Sequence, residues 1–176
     1  MTDVTLRTAR PEDASALATL KRDTFRETFL EEGFGIPYPP ADLAAFERST
    51  YSPEAVRAEL ADPTKATWVA EHDGRLVGYA HVGPCKLPHP DVKKGDAELY
   101  QLYVRRDAQG LRLGARLLAL ALSHLADRQP GPVWLGVWSG NHKAQAFYAA
   151  RGFLPVGEYR FPVGTWFDEE LIFRRG

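Results

Sequence analysis

A phenol can serve as a proton donor where the chain fixes it beside a departing anion, and residues 141–153, NHKAQAFYAARGF, hold one firmly. Asn141 is a good helix cap, and Ala144, Phe147 and Tyr148 recur at helical spacing. Gly152 suits the left-handed residue that closes a helix, with Phe153 packing back on it. Tyr148 is therefore a candidate catalytic phenol. The same pattern also suffices for an ordinary amphipathic helix, so alone it does not decide between chemistry and packing. Upstream lies ELYQLYVRRDAQGLRLGARLL, a strand-like run followed by a glycine-containing turn and a long apolar helix. Free backbone N–H groups at a helix start, reached closely because of glycine, make a phosphate-binding arrangement.

Positioning those two segments requires a scaffold, and the chain supplies one. Val4 to Thr8 alternates as a short strand, and Pro11 begins a helix with Ala14, Leu17 and Leu20 inward, running to about Leu30. Gly33, Gly35, Pro37, Pro39 and Pro40 form a loop expected to move. Asp42 is the expected cap of a short helix through Arg48, and Ser52-Pro53-Glu54 begins another that stops at Asp62-Pro63. Thr67 to Ala70 and Leu76 to Val82 flank Asp73-Gly74, which predicts a hairpin. Further strands are predicted at Ala97 to Val104, Val133 to Trp138, Phe153 to Arg160 and Phe167 to Phe173, with a helix from about Gly110 to Arg128. Nothing in the strand ending at Val104 signals a bulge.

A chain of 176 residues fits one domain, large enough to bury about 70% of its unfolded surface. No apolar run reaches bilayer length, and the start, MTDVTLRTARPED, lacks a signal core. The single Cys85 forbids an intramolecular disulfide and fits a reducing compartment, so the cytoplasm is expected. A net charge of −1 argues against nucleic acid or membrane as partners. The charge is uneven: Glu12 to Asp62 holds eleven acids against five bases, whereas Arg105, Arg106, Arg112, Arg116 and Arg128 outnumber Asp107 and Asp127 around the glycine turn. His72, His81, His89, His124 and His142 have no metal-ligand spacing, so no metal is assigned.

The two segments together resemble the GNAT superfamily of acyl-CoA-dependent N-acyltransferases. The first signature, a strand of the type ELxxLYV and then Q-x-x-G-x-G/A opening a helix, reads here Glu98 to Val104 and then Gln109-Gly110-Leu111-Arg112-Leu113-Gly114-Ala115. Arg112 stands where the pattern has its first fixed glycine. The second, N-x-x-A-x-x-F-Y-x-x-x-G-F, is matched at every fixed position by 141–153. The order of elements is that of the GNAT fold, an α/β architecture whose central mixed, mostly antiparallel, twisted sheet of six to seven strands carries helices on both faces.

The resemblance implies transfer of the acetyl group of acetyl-CoA to a primary amine. The turn Gln109–Ala115 would bind pyrophosphate, helped by Arg105, Arg106, Arg112 and Arg116. Backbone groups of Leu102, Tyr103 and Val104 would meet the pantetheine, as would Asn141, with Ala144 and Phe147 also on the cofactor side. Glu98 would take the amine proton through water, and Tyr148 would serve the departing thiolate. An alkylammonium with a pKa of about 10.4 needs a base at neutral pH, while a phenol near 10 is about 1.5 units too weak to protonate a thiolate fully. The acidic excess of the first half points to a cationic amine, and that half together with the tail FPVGTWFDEELIF looks like polyamine- or diamine-type members of the superfamily, with Glu27, Glu31, Glu32 and Asp168 as acceptor contacts. An N-terminal or lysine protein acceptor stays open, as does a non-catalytic acyl-CoA sensor; a homodimer is also common in the family.

Overall fold

A computed structural model describes residues 3–176. The chain runs β1 (Thr5–Thr8), α1 (Ala14–Phe29), α2 (Pro40–Tyr51), α3 (Pro53–Ala61), β2 (Ala66–His72), β3 (Arg75–Pro84), β4 (Ala97–Val104), α4 (Leu113–Arg128), β5 (Val133–Trp138), α5 (His142–Ala149), β6 (Leu154–Val163) and β7 (Trp166–Arg175). The seven strands form one sheet in the order β1-β2-β3-β4-β5-β7-β6. Every neighbouring pair is antiparallel except β4 and β5.

Strand alternation sorts the core into two layers. Trp68 and Ala70 of β2 pack with Leu113, Leu117, Leu118 and Leu125 of α4, whereas Val69, between them, joins Leu17 and Leu20 of α1 and Val56 of α3. Helices therefore cover both faces. A third, aromatic cluster gathers Phe25 and Phe29 of α1, Tyr38, and Phe46 and Tyr51 of α2 against Val163 of β6. Its Phe25 ring lies 5.3 Å from Phe46 and 5.7 Å from Tyr51.

Local chemistry explains most element boundaries. Asp73 and Gly74 both take positive φ, 51° and 73°, so the β2–β3 connection is the tight turn expected from an Asp-Gly pair. The Ser52 hydroxyl accepts from the Ala55 N–H at 3.2 Å and caps α3. Asp42 differs from expectation. Its carboxylate does not cap α2 but accepts from the N–H and hydroxyl of Thr165, tying α2 to the β6–β7 turn. The glycine- and proline-rich loop after α1 is also held, by Phe34, Gly35 and Ile36 N–H bonds to Thr28, Leu30 and Phe29. Helix α4 starts at Leu113 instead of Gly110, because Gly110 (φ 94°) and Arg112 (φ 56°) are left-handed. Among the described residues no helix is long and apolar enough to cross a membrane.

Candidate active site

Strands β4 and β5 are paired only at their beginnings, Ala97 with Val133 and Glu98 with Trp134. Beyond that they part. On the other edge of β4 the partners step from Val82–Leu99 to His81–Gln101, so Tyr100 is a one-residue bulge that the amino-acid pattern did not announce. A cleft opens between the diverging strands, walled by Leu102, Tyr103, Gly136, Trp138, Asn141, Ala144 and Tyr148. Parting from β5 leaves β4 backbone groups there without a strand partner, the condition under which a bound amide chain can pair with them.

Helix α5 supplies the far wall. Asn141 Oδ1 accepts from the Ala144 N–H at 3.0 Å, which fixes the helix start and leaves Nδ2 open. At the other end Gly152 is left-handed (φ 86°), and the Phe153 N–H returns to the Tyr148 carbonyl at 3.1 Å. The rings of Phe147 and Phe153 stand edge-on to Tyr148 at 5.3 and 5.7 Å. Burial pushes the Tyr148 phenol well above its ordinary value, with no charge nearby to offset it. Its hydroxyl has no hydrogen-bond partner among the described residues, although it is on the cleft wall.

The glycine turn sits beside this helix. A Cβ built on Gly114 would meet only Phe147 Cζ, at 3.9 Å, and one on Gly110 would meet nothing within 4 Å. Neither backbone conformation nor packing demands glycine at Gly114, and the space beside it is open. The N–H groups of Leu113, Gly114 and Ala115 precede the first helical bond of α4, Arg116 N–H to the Arg112 carbonyl at 3.1 Å. Leu113 itself is a core side chain, so only its N–H faces outward chemistry; Leu111 is exposed. The Gln109 side chain donates to the Val104 carbonyl at 3.3 Å and anchors the turn to β4.

Several side chains lie elsewhere than expected. Arg105 turns inward and bonds the Leu76 carbonyl and Asp23. Arg106 is spent on the backbone carbonyls of Glu27 and Glu32. Of the four arginines expected at the turn, only Arg112 and Arg116 are exposed with no side-chain hydrogen bond or ion pair among the described residues. Val104 and Phe147 are not on the cleft wall. Glu27, Glu31 and Glu32 line neither the cleft nor the cavity that adjoins it; Glu27 Oε2 instead accepts from the Arg106 N–H at 3.0 Å.

A second, larger cavity of about 460 Å³ adjoins the cleft and shares Phe29, Tyr100, Gln101, Tyr103, Gly136 and Glu170 with it. Four carboxylates line it, Glu59, Glu98, Asp168 and Glu170, against two lysines, Lys65 and Lys86. Glu59 is already paired with the deeply buried Lys21 at 2.6 Å. Asp168 accepts from the Tyr38 hydroxyl at 2.6 Å and Trp166 Nε1 at 3.0 Å. Glu98 accepts one bond, from the Lys86 N–H at 2.8 Å, and burial raises its carboxyl to about 7. Glu170 is likewise raised to about 7, by burial above all, although the Tyr159 hydroxyl donates to it at 2.9 Å and pulls the other way. His81, buried and bonded through Nδ1 to Thr67 at 2.8 Å, is pushed down to about 3 and stays neutral. The Cys85 thiol is pushed up to about 11 by burial, which removes it as a ready nucleophile.

Glu170 and Tyr159 are the site residues that reading the chain missed. The run Asp168-Glu169-Glu170 carried the signal: in a strand, alternate residues share a face, so either Asp168 and Glu170 or Glu169 had to point inward.

Residues 22–153 match the family model described as Acetyltransferase (GNAT) family, and the chain belongs to that family. It is an N-acetyltransferase with acetyl-CoA as cosubstrate. An uncharacterized N-acetyltransferase of Lactobacillus delbrueckii subsp. lactis is 28% identical over 175 residues, covering 99% of this chain and 98% of the relative. A second, from Mycobacterium bovis, is 34% identical over 146 residues, covering 81% of this chain and 89% of the relative. In fold the chain is similar to the PaiA N-acetyltransferase of Thermoplasma acidophilum, crystallised in complex with coenzyme A, with a TM-score of 0.76 at 20% identity and coverage of 98% of each chain.

Proposed function

We propose that the chain acetylates a cationic small-molecule amine of polyamine or diamine type. One observation carries this reading: the cavity beside the cleft is lined by four carboxylates and a belt of aromatic rings. Carboxylates attract an ammonium, and the faces of rings such as Phe46, Tyr51 and Phe161 add cation–π attraction for it and contact for its methylene chain.

In this reading acetyl-CoA lies along the cleft with its pyrophosphate at the N–H groups of Leu113, Gly114 and Ala115. The open space beside Gly110 and Gly114 supports that placement, and Arg112 and Arg116 add positive charge. Backbone groups of Leu102, Tyr103 and Val104 and the Asn141 amide meet the pantetheine, Gln109 and Leu111 shape the turn, and Ala144 and Phe147 back the helix against it. The amine nitrogen attacks the thioester carbonyl once a carboxylate has taken its proton, Glu98 acting through water. Tyr148 steadies the departing thiolate mainly by a hydrogen bond, because burial makes its phenol a still weaker acid.

The test is thiol release from acetyl-CoA across polyamines, diamines, amino acids, aminoglycosides and peptides ending in a free amine or bearing lysine. Turnover at least tenfold faster with polyamines or diamines is expected. Preference for peptides makes the acceptor a protein, and cofactor binding without turnover on any amine makes the chain a sensor.

A further inference from the structure

Strand alternation in β7 turns Glu169 outward, where it pairs with Arg160 at 3.1 Å, and turns Asp168 and Glu170 inward. Asp168 already has two donors. Glu170 has one, the Tyr159 hydroxyl on Oε2, and Oε1 has no partner among the described residues. Room for this pair is made across the sheet by Gly136, since a Cβ built there would lie 2.9 Å from Glu170 Oε2 and closer still to the Tyr159 oxygen.

Glu170 also holds a position that Glu98 does not. It is on the wall of both the carboxylate-lined cavity and the cleft that carries Tyr148, whereas Glu98 lines the cavity alone. Measured along β5, Glu98 pairs with Trp134 at the closed apex of the splay and Glu170 with Trp138 at its open end. Those backbone levels are about 13 Å apart at the rise of a strand, and the Glu170 side chain leans from its level toward Gly136. Tyr148 and Glu170 share the cleft wall, so a nitrogen attacking a thioester beside Tyr148 has Glu170, and not Glu98, on the same wall.

The geometry points to Glu170 as the catalytic carboxylate that meets the reacting ammonium at the junction of cavity and cleft and takes its proton. This rests on the functional reading above. The ammonium gives one proton to the carboxylate, and the freed lone pair forms the N–C bond to the acetyl carbon. Collapse breaks the C–S bond while the Tyr148 hydroxyl donates a hydrogen bond to the departing sulfur, and the thiolate takes the second proton of the attacking nitrogen. Glu170 passes its proton through water to Glu98 and solvent, so the products are amide, free thiol and one released proton. Burial holds Glu170 near neutrality, Asp168 on its own strand and Glu98 on β4 raise it further, and Tyr159 on β6 lowers it; Tyr103 on β4 and Tyr38 and Tyr51 on the α2 side face it as neutral phenols.

The experiment compares Glu170→Gln, Glu98→Gln and Tyr159→Phe with the wild type, using acetyl-CoA with spermidine or 1,4-diaminobutane and following kcat/KM from pH 5.5 to 9. Glu170→Gln keeps the Tyr159 bond and is expected to lose at least a hundredfold, with the KM for acetyl-CoA unchanged. Glu98→Gln loses less. Tyr159→Phe removes the bond that lowers Glu170, so the acid limb moves to higher pH. Glu170→Gln within threefold of wild type overturns the proposal, as does an acid limb that Tyr159→Phe leaves in place and Glu98→Gln abolishes. Should Glu170→Gln fail to fold, the Tyr159→Phe limb decides. A wild type silent on every amine removes the functional reading and this proposal with it, whereas wild-type turnover with an unaffected Glu170→Gln removes this proposal alone.

Discussion

Gly136 and Glu170 face each other across β5 and β7 with so little room that a Cβ on the glycine would stand 2.9 Å from the carboxylate oxygen. Real Cβ atoms do not come that close to a fixed oxygen, so Gly136→Ala must displace Glu170, Tyr159 or both. Expected is at least a tenfold fall in kcat/KM for the amine, with the KM for acetyl-CoA changed less than threefold. Steady-state kinetics in both substrates checks this, and an unchanged amine parameter would falsify a dependence on the Tyr159–Glu170 pair.

Tyr148→Phe separates chemistry from packing. The hydroxyl reaches the cleft and has no hydrogen-bond partner among the described residues, so its removal leaves no orphaned donor or acceptor inside the fold. The melting temperature should hold or rise slightly and acetyl-CoA should bind as before, while kcat falls at least tenfold. Turnover at the wild-type rate rules out a role for the phenol.

How far the chain could be read depends on the range of the physics involved. The Asn141 cap, the Gly152 closure and the Asp73-Gly74 turn depend on neighbours a few residues away, and each is visible locally. The seven strands follow from alternation, and β5 begins and ends where its apolar run does. The bulge at Tyr100 and the parting of β4 from β5 depend on how three strands meet, which no single run encodes. Arg105 and Arg106 were legible as charge near the glycine turn, yet Asp23, Glu27 and Glu32 come from α1 and its following loop to claim them. For the same reason the acidic first half did not identify its own pocket residues: Glu27 is spent holding β4's exit, and the carboxylates that reach the cavity come from α3, β4 and β7.

Arg112→Gly tests the one departure from the family pattern at the glycine turn. Its left-handed backbone (φ 56°, ψ 25°) costs a side-chain-bearing residue roughly 1–2 kcal/mol, while glycine gives back roughly 0.5–1 kcal/mol through its looser unfolded chain. A net gain of about 0.5–1 kcal/mol in unfolding free energy is expected, read by denaturant titration. The lost charge should raise the KM for acetyl-CoA severalfold at low salt, and that difference should shrink at high salt as screening sets in. A stability loss instead would show that the arginine side chain holds the turn.

Glu98→Gln gives a prediction in pH. Its carboxyl is raised from 4.5 to about 7 by burial, so between those values the folded chain holds a proton that the unfolded chain has already released. The group's contribution to stability therefore falls as pH rises through that window and is level above it. Glutamine carries no such penalty. Relative to wild type, Glu98→Gln should gain about 1 kcal/mol or more at pH 8 and much less at pH 5, at 1.36 kcal/mol for each pKa unit of difference. Its single acceptor role, toward the Lys86 N–H, can be kept by the glutamine carbonyl, so the comparison isolates the charge. Paired melts at pH 5 and pH 8 supply the measurement. A gain equal at both pH values would mean that the carboxyl ionises in the folded chain as it does in the unfolded one, and the raised value would be wrong.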